Sequence, residues 1–347
     1  MSKPKITIIG LGVTGSSIGL GLQKEEGNFE IIGHDKEPDV TRVAERTGSI
    51  HRTMWNIHRA CEDADMIILA VPLSEMAELF SLIAEDLKEG CLVFAINDVL
   101  QPIIELADKH FVGVHFVAGH PVLTGIGGTL ETRADLFKDC TFCVTTGTKT
   151  APDAVQLACD FVERLGAKPL FMDAAEHDGL VAGVDQLPQM LAVGLMQINS
   201  SGPAWSEARQ LAGRTFANAT EFRHGAQQLY DGITANRQNL LLRLDMMQAL
   251  LSEWRQLLHD LPSELPAETP SEESESPQLL TLFEQLATAR EDWEAKANLK
   301  RWDDPSEVEI TKQEGQGLLQ QMFFGGLMGN RQRALQRDTN QAPGSKV

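Results

Sequence analysis

Positive charge is scarce in this sequence. It has 30 lysine and arginine residues against 49 aspartate and glutamate residues, so the formal net charge is -19. Nucleic acids and anionic lipid surfaces recruit proteins through basic faces, so this balance argues against both as partners. The rest of the composition is ordinary for a globular protein, with 42% hydrophobic and 23% charged residues. A chain of 347 residues predicts about two domains.

Cysteine is also scarce, and its five copies form no regular framework. This indicates reduced thiols in a cytoplasmic protein. Cys140 and Cys143 have C-x-x-C spacing, but no second pair completes a zinc site. The alternating pattern around them predicts a strand with one of the two cysteines in the core, and no metal. We also expect no signal peptide and no bilayer-spanning segment, hence no membrane partner.

Apolar segments alternate with amphipathic ones over the first half of the chain. This pattern predicts an α/β fold: an N-terminal Rossmann-type, doubly wound parallel sheet followed by an all-helical domain. The predicted strands are residues 5–10, 29–33, 65–72, 91–96, 111–115, 141–145 and 168–172. Beyond residue 172 the pattern is purely helical, with predicted helices at 176–199, 204–217, 225–259 and 279–301.

The sequence Gly10-Leu-Gly-Val-Thr-Gly15 directly follows the first predicted strand and opens a helix, and Asp35 lies 20 residues further on. In such a G-x-G-x-x-G turn the backbone approaches a pyrophosphate at the helix N-terminus, and the acid binds the adenosine ribose. An acid here also repels a 2'-phosphate, which favours NAD over NADP. A purely structural glycine turn is the alternative. The predicted cofactor-binding residues are Gly10, Leu11, Gly12, Val13, Thr14, Gly15, Asp35, Val71 and Pro72.

We divide the chain into five segments on these patterns. Residues 1–172 are expected to form the NAD-binding domain, and residues 173–260 a helical domain for substrate binding and dimerisation. Residues 261–277 are rich in proline, serine and glutamate, which is typical of a flexible acidic linker. A helical extension (278–330) and a disordered polar tail (331–347) follow. In two-domain dehydrogenases of this plan a small substrate lies between the domains, and the helical part forms a homodimer.

Gly119-His120-Pro121, followed by a glycine-rich loop, marks a candidate catalytic residue at the cofactor edge. Histidine is the natural general base near neutral pH. Further along lie Glu176-His177-Asp178, Leu187-Pro188, Ala212–Phe216 and, in one helix, Tyr230–Asn236. In this order, over residues 5 to 260, the sequence resembles the prephenate and arogenate dehydrogenase family of tyrosine biosynthesis.

The resemblance implies an oxidative decarboxylation that needs no metal. A hydride passes from the ring carbon bearing the 4-hydroxyl to the nicotinamide. The histidine matching His120 binds or deprotonates that hydroxyl, and loss of carbon dioxide makes the ring aromatic. For His177 we expect a structural role, as a helix cap or in a hydrogen bond between domains.

The sequence departs from the family at three places. The family's D-x-G-S serine is replaced by Gln101, which we keep as a candidate catalytic residue. The family's S-H-L-P-H segment corresponds to Asp185–Gln189, in which both histidines are replaced by glutamine. Gln186, at the first of these positions, is a candidate substrate contact. The arginine that ends the family's F-R-D-x-T-R segment is replaced by Glu221 in this sequence.

Glu221 should repel a dianionic substrate, but it is compatible with the amino group of arogenate. Arg223 or Arg214, both predicted substrate-binding residues, or else Arg237, could supply the missing cation. Two alternatives remain open. One is another two-domain reductase, although the G-x-x-x-K motif of 3-hydroxy acid enzymes is missing. The other is an NAD-binding protein without catalysis. A regulatory ACT domain is not expected, because the segment after residue 277 is too short and too helical.

Overall fold

A computed structural model describes residues 3–23, 29–123, 131–222, 225–261 and 278–299. Its centre is an eight-stranded sheet of order β3-β2-β1-β4-β5-β6-β7-β8. The strands are β1 (Lys5–Ile9), β2 (Glu30–His34), β3 (Arg52–Thr53), β4 (Met66–Leu69), β5 (Leu92–Ile96), β6 (His115–Val122), β7 (Thr141–Thr146) and β8 (Lys168–Phe171).

Six of these strands, β1 to β6, are mutually parallel, as predicted, but β7 is antiparallel to β6 and β8 is parallel to β7. A parallel partner for β6 would require a crossover connection, usually a helix. Residues 131–140, between β6 and β7, contain turns and no helix.

Helices cover both faces of the sheet, which accounts for the continuous burial of strands such as β4 and β5. One apolar cluster packs α1 (Val13–Gln23), α2 (Pro38–Arg46) and α6 (Pro152–Arg164) on one face. A second cluster packs α3 (Ile57–Cys61), α4 (Leu73–Ile83) and α5 (Gln101–His110) on the other. Because strand side chains alternate between faces, Ile8 joins the first cluster and Ile9 the second.

The sequence prediction missed β3 and α3 in this domain, and it differs from the structure around β6 and α5 as well. It placed a strand at 111–115, whereas β6 begins at His115 and includes His120 and Pro121. It also missed α5, which begins with Gln101-Pro102. Proline is compatible with the first helical turn, where its missing N–H has no partner to lose.

The second half of the chain is helical throughout its described part. The helices are α7 (Ala174–Val181), α8 (Leu187–Ser200), α9 (Trp205–Leu211), α10 (Arg214–Ala219), α11 (Ala226–Ala235), α12 (Arg237–His259) and α13 (Gln278–Leu299). A π-helical turn, Ala182–Gln186, joins α7 to α8, so that Pro188 falls in a first turn and does not break the helix. The helices predicted at 204–217 and 225–259 are each divided in two.

The fold class predicted from the sequence, a Rossmann-type domain followed by a helical one, is confirmed. The end of β8 at Phe171 and the start of α7 at Ala174 bracket the change from one to the other. The expected linker and tail, and most of the expected extension, lie outside the described residues. Of these segments the structure describes Leu261 and α13.

Candidate active site

The glycine turn between β1 and α1 is shaped by two close backbone approaches. Gly10 has φ +89°, and a Cβ atom there would lie 2.4 Å from the carbonyl oxygen of Ala70. A Cβ on Gly15 would lie 1.9 Å from the carbonyl oxygen of Gly10. A Cβ on Gly12, by contrast, would meet no atom within 4 Å. The fold therefore requires Gly10 and Gly15, while Gly12 leaves open space beside the backbone that begins α1.

The carboxylate of Asp35, at the end of β2, is tied to this turn. Its Oδ2 accepts a hydrogen bond from the backbone N–H of Leu11 at 2.7 Å, and its Oδ1 accepts one from Glu37 N–H at 2.9 Å. The neighbouring cation Lys36 forms an ion pair with Glu75 in the first turn of α4. This hydrogen bond raises the pKa of Lys36. Asp35 is thus oriented toward the glycine turn, and the cation Lys36 beside it is paired with Glu75.

The other predicted cofactor-binding residues surround the same turn. Leu11 is buried and offers its backbone, while Val13 and Thr14 are half-buried at the start of α1. Val71 lies after β4, and a Cβ on Gly10 would come within 3.0 Å of its side chain. Pro72 precedes α4 as its N-cap residue. The ends of β1, β2 and β4 therefore lie side by side at one edge of the sheet, where open α/β sheets bind their ligands.

His120 lies on β6 at this same edge, not in the loop that follows it. The preceding residue, Gly119, pairs with Ile96 on β5, and its carbonyl accepts a hydrogen bond from Asn97 N–H at 3.0 Å. Across the sheet, His120 pairs with Cys143 on β7. Burial raises the pKa of the Cys143 thiol to about 11, so this neighbour is uncharged near neutral pH. Residues 124–130, which include most of the glycine-rich loop, lie outside the described residues.

The His120 ring forms a hydrogen bond with the helical domain. Its Nδ1 lies 3.0 Å from Nε2 of His177, and the two rings are nearly perpendicular, at 86°. His177 Nδ1 lies 2.9 Å from Oδ1 of Asp178. Both α7 residues are only 2% exposed. This confirms the hydrogen bond between domains that the sequence predicted for His177.

Asp178 also holds the N-terminus of α5. Its Oδ1 accepts a hydrogen bond from Leu100 N–H at 2.8 Å, and its Oδ2 accepts one from Gln101 N–H at 2.9 Å. Its own backbone carbonyl accepts a bond from the side chain of Asn236. Asp178 therefore joins α5, α7 and the start of α12. Sequence reasoning missed this role, because the partners lie 78 and 58 residues away along the chain.

Gln101 contributes to this network through its backbone. Its side chain is exposed and donates a hydrogen bond to Glu105, one turn further along α5. Gln186 is buried in the π-helical turn, where its amide bonds to Gly232 and Asn236. A substrate contact by Gln186 would have to share or replace these bonds.

Two of the charged residues expected to contact substrate lie at the ends of α10. Arg214 is the first residue of that helix, and Glu221 follows its end; both are exposed. Arg223 lies outside the described residues. The alternative cation Arg237 is exposed at the start of α12. Another arginine, Arg243, donates to the carbonyl of Gly179 at 2.9 Å and braces α12 against α7.

The two cysteines of the C-x-x-C pair lie in the interior of the first domain. All five cysteines are buried and none forms a disulfide bond. The described residues hold no cluster of metal-ligating side chains. Cys140 precedes β7 and joins the first apolar cluster, while Cys143 is buried within the strand. The expectation of a single core cysteine was therefore wrong, because helices and neighbouring segments cover both faces of the sheet here.

Both halves of the chain are similar to known proteins. Residues 18–170 match the family model for the nucleotide-binding domain of prephenate dehydrogenase, and residues 173–268 match that for its dimerization domain. A prephenate dehydrogenase of Lactococcus lactis is 36% identical over 192 residues, 54% of this chain and 52% of that protein. One of Bacillus subtilis is 24% identical over 248 residues, 70% of this chain and 67% of that protein. The match thus spans about half the length of the Lactococcus relative.

The fold is shared with a solved structure from A. aeolicus, prephenate dehydrogenase in complex with hydroxyphenyl propionate and NAD+. The TM-score is 0.73 at 19% identity, and the alignment covers 84% of this chain and 99% of that one. The two family models together cover most of the sequence and meet where β8 gives way to α7. The chain therefore belongs to the prephenate dehydrogenase family.

Proposed function

We propose that this protein is an NAD-dependent dehydrogenase that oxidatively decarboxylates prephenate or arogenate in tyrosine biosynthesis. Family membership supports the reaction class. The observation that carries the proposal is the position of His120. It lies on the strand edge that also bears the glycine turn, and a hydrogen bond to His177 holds its ring against the helical domain. A base at that position faces the crevice where substrates of two-domain dehydrogenases lie.

The residues around the glycine turn fit NAD. Gly12 leaves room for a pyrophosphate against the N-terminus of α1, where backbone N–H groups and the helix dipole favour phosphate. Each Asp35 oxygen accepts one backbone bond and keeps lone-pair capacity for a ribose hydroxyl. Bound NAD would supply the hydride acceptor. The A. aeolicus relative was solved with NAD+, which agrees with this assignment.

In the proposed reaction, His120 takes the proton of the substrate's ring hydroxyl, and a hydride leaves the ring carbon that carries this hydroxyl. The bond to the ring carboxylate then breaks, and its electron pair completes the aromatic ring as carbon dioxide leaves. The proton held by His120 returns to the ring oxygen and gives the phenol. The chain must orient the substrate, supply the base and hold the carboxylates with cations. Arg214 and Arg223 are the proposed cations. Glu221 between them supports arogenate, whose amino group it would attract. We keep Gln101 and Gln186 as proposed site residues, because both lie in chain segments next to His177 and Asp178.

We also propose a cytoplasmic homodimer that forms through the helical domain. The match to the family's dimerization domain supports it. By length and hydropathy alone, Ala174–Ser200 would pass for a membrane-crossing helix, contrary to our expectation, and only 28% of that window is buried. The segment nevertheless carries the buried, hydrogen-bonded His177 and Asp178, which suit a folded protein better than lipid. Its exposed apolar side chains, with those of α12, are the surface that a second subunit would cover: Leu195, Ile198, Leu241, Leu242 and Met246.

The test is turnover of the purified protein with NAD and either prephenate or arogenate, followed by the absorbance of reduced nicotinamide. We expect turnover with at least one substrate and a loss of about 100-fold or more in kcat for His120→Asn. The control is His58→Asn, which removes an exposed histidine paired with Asp86. Turnover with neither substrate, while calorimetry still detects NAD binding, would contradict the assignment. It would leave a dehydrogenase of another substrate or an NAD-binding protein without catalysis.

A further inference from the structure

Three side chains form a hydrogen-bonded chain that runs from the helical domain to the candidate base. Asp178 contacts Nδ1 of His177, and Nε2 of His177 contacts Nδ1 of His120, at 2.9 and 3.0 Å. His120 is half-buried, whereas His177 and Asp178 are almost fully buried. The carboxylate end of the chain lies in the interior, and His120 lies nearer the surface.

The state of Asp178 decides the direction of every bond in this chain. Its carboxylate accepts two backbone N–H bonds at the start of α5, where the helix dipole also favours negative charge. An ionised carboxylate only accepts hydrogen bonds, so Nδ1 of His177 carries a proton and donates it. In neutral His177, Nε2 is then the acceptor, and Nδ1 of His120 is the donor.

While His177 is neutral, this contact holds neutral His120 in a single tautomer. With its proton on Nδ1, the neutral ring has its lone pair on Nε2, and only that nitrogen can take up a proton. The opposite tautomer would place two lone pairs against each other at the contact between the histidines. A third group that orients the base in this way is common to nucleophile–base arrangements on unrelated folds.

We propose that His177 and Asp178 are positioning residues for the reaction. Together they fix the Nδ1–H tautomer and the ring orientation of His120, so that Nε2 meets the substrate hydroxyl. The inference rests on the proposed function for its catalytic consequence, but the tautomer itself is a property of the free protein. Since His177 belongs to the helical domain, correct docking of the two domains assembles the base.

Two substitutions that differ by one methylene group separate this role from a structural one. In His177→Gln, the amide oxygen reaches about as far as Nε2 and accepts the His120 proton, while Asp178 loses its histidine partner. In His177→Asn, the amide nitrogen replaces Nδ1 and keeps the bond to Asp178, but nothing reaches His120. Kinetics with NAD and the better substrate would be measured for both variants, with circular dichroism and gel filtration as checks of folding.

We expect His177→Asn to lower kcat by about 100-fold with little change in KM for NAD. His177→Gln should recover most of that loss, within about tenfold of the unmodified protein. The reverse order, with the asparagine variant active and the glutamine variant inactive, would show that His177 serves only to satisfy Asp178 and would overturn the proposal. Full activity in both variants would overturn it as well.

The tautomer is measured independently of activity. Protein labelled with ¹⁵N at its histidines gives two-bond ¹H–¹⁵N spectra that distinguish Nδ1–H from Nε2–H, with His120 and His177 assigned from the variants that lack them. We expect Nδ1–H for both. An Nε2–H tautomer at His120 would overturn the inference even in an active enzyme. If the protein turned over neither substrate, the proposed function would fail and the tautomer alone would decide the inference.

Discussion

The carboxylate of Asp35 and the backbone N–H of Leu11 are joined by a hydrogen bond of 2.7 Å, which ties the end of β2 to the glycine turn after β1. This bond fixes the acid beside the glycine turn, where the proposed binding of NAD would place the adenosine ribose. The nearby cation, Lys36, forms an exposed ion pair with Glu75, which competes with a 2'-phosphate for this lysine.

Replacing Asp35 by alanine should weaken NAD binding and reduce the preference for NAD over NADP. The hydrogen bonds to a charged group that are lost are worth about 1.5–3 kcal/mol, which corresponds to a rise in the NAD Kd of roughly tenfold to a hundredfold. Calorimetric titration with each dinucleotide measures both effects. Asp39→Ala, on the exposed first turn of α2, is the control and should change neither affinity. An unchanged NAD Kd in Asp35→Ala would mean that the acid only braces the turn.

Gly12 and Gly15 should respond differently to the same substitution. Gly15→Ala places a methyl group on the carbonyl of Gly10, so the backbone must move, and we expect a loss of about 2 kcal/mol or more in the free energy of unfolding. Gly12→Ala fills open space, so stability should be nearly unchanged while NAD affinity falls. Urea unfolding and calorimetry measure the two quantities. Equal NAD affinity in Gly12→Ala and the unmodified protein would argue against a pyrophosphate at that position.

The glycine turn was predictable because all of its information is local: three glycines after an apolar strand, with an acid one strand later. The position of β6 was not predictable in this way. Gly119-His120-Pro121 has the composition of a loop, yet these residues pair with β7, where burial of the neighbouring strand residues outweighs their low β-propensity. Proline is tolerated there despite having no backbone N–H to donate to the ladder.

The partners of His120 were not predictable from the sequence for a related reason. His177 is 57 residues away along the chain, and its contact depends on how α7 docks against the sheet. The adjacent His177-Asp178 pair predicted a hydrogen bond between the domains, but it did not identify His120 as the partner. Gln101 shows the opposite case. The family pattern drew attention to its side chain, whereas its backbone N–H makes the contact with Asp178.

Stability should fall in alkaline solution because the buried thiols resist ionisation. Burial raises the pKa of Cys61, Cys91 and Cys159 to about 12 and that of Cys143 to about 11. In the unfolded chain a thiol ionises near pH 8.5, so above that pH the unfolded state loses protons that the folded state keeps. The stabilising contribution is therefore complete below about pH 8.5 and is lost progressively as the pH rises toward 11 to 12.

Urea unfolding between pH 8 and 10.5 measures this effect. Each buried thiol should lower the free energy of unfolding by at most about 1.4 kcal/mol per pH unit. Cys91→Ala should be less stable at pH 8 because of the cavity, but its stability should fall less steeply with pH. Identical slopes for the variant and the unmodified protein would show that another group, such as a lysine, causes the alkaline loss.

Glu221 is the residue whose substitution should report substrate choice. The sequence resemblance matches it to the family's arginine, and the structure places it on the exposed segment after α10. Glu221→Arg should raise kcat/KM for prephenate and lower it for arogenate, because it exchanges a group that attracts the amine for one that attracts a carboxylate. Glu221 is exposed to solvent, which screens its charge, so we expect a change in the selectivity ratio of about tenfold, equivalent to 1.4 kcal/mol.

Initial rates with both substrates over a range of concentrations give the ratio for Glu221→Arg and for the neutral Glu221→Gln, which should fall between the two charged forms. Glu207→Arg, on the exposed α9, controls for the change in net charge alone. If Glu207→Arg shifts the ratio as strongly, long-range attraction of substrate by the overall field explains the result, and Glu221 does not contact substrate. If neither changes it, the carboxylates are held elsewhere, and Arg214 and Arg223 become the residues to replace.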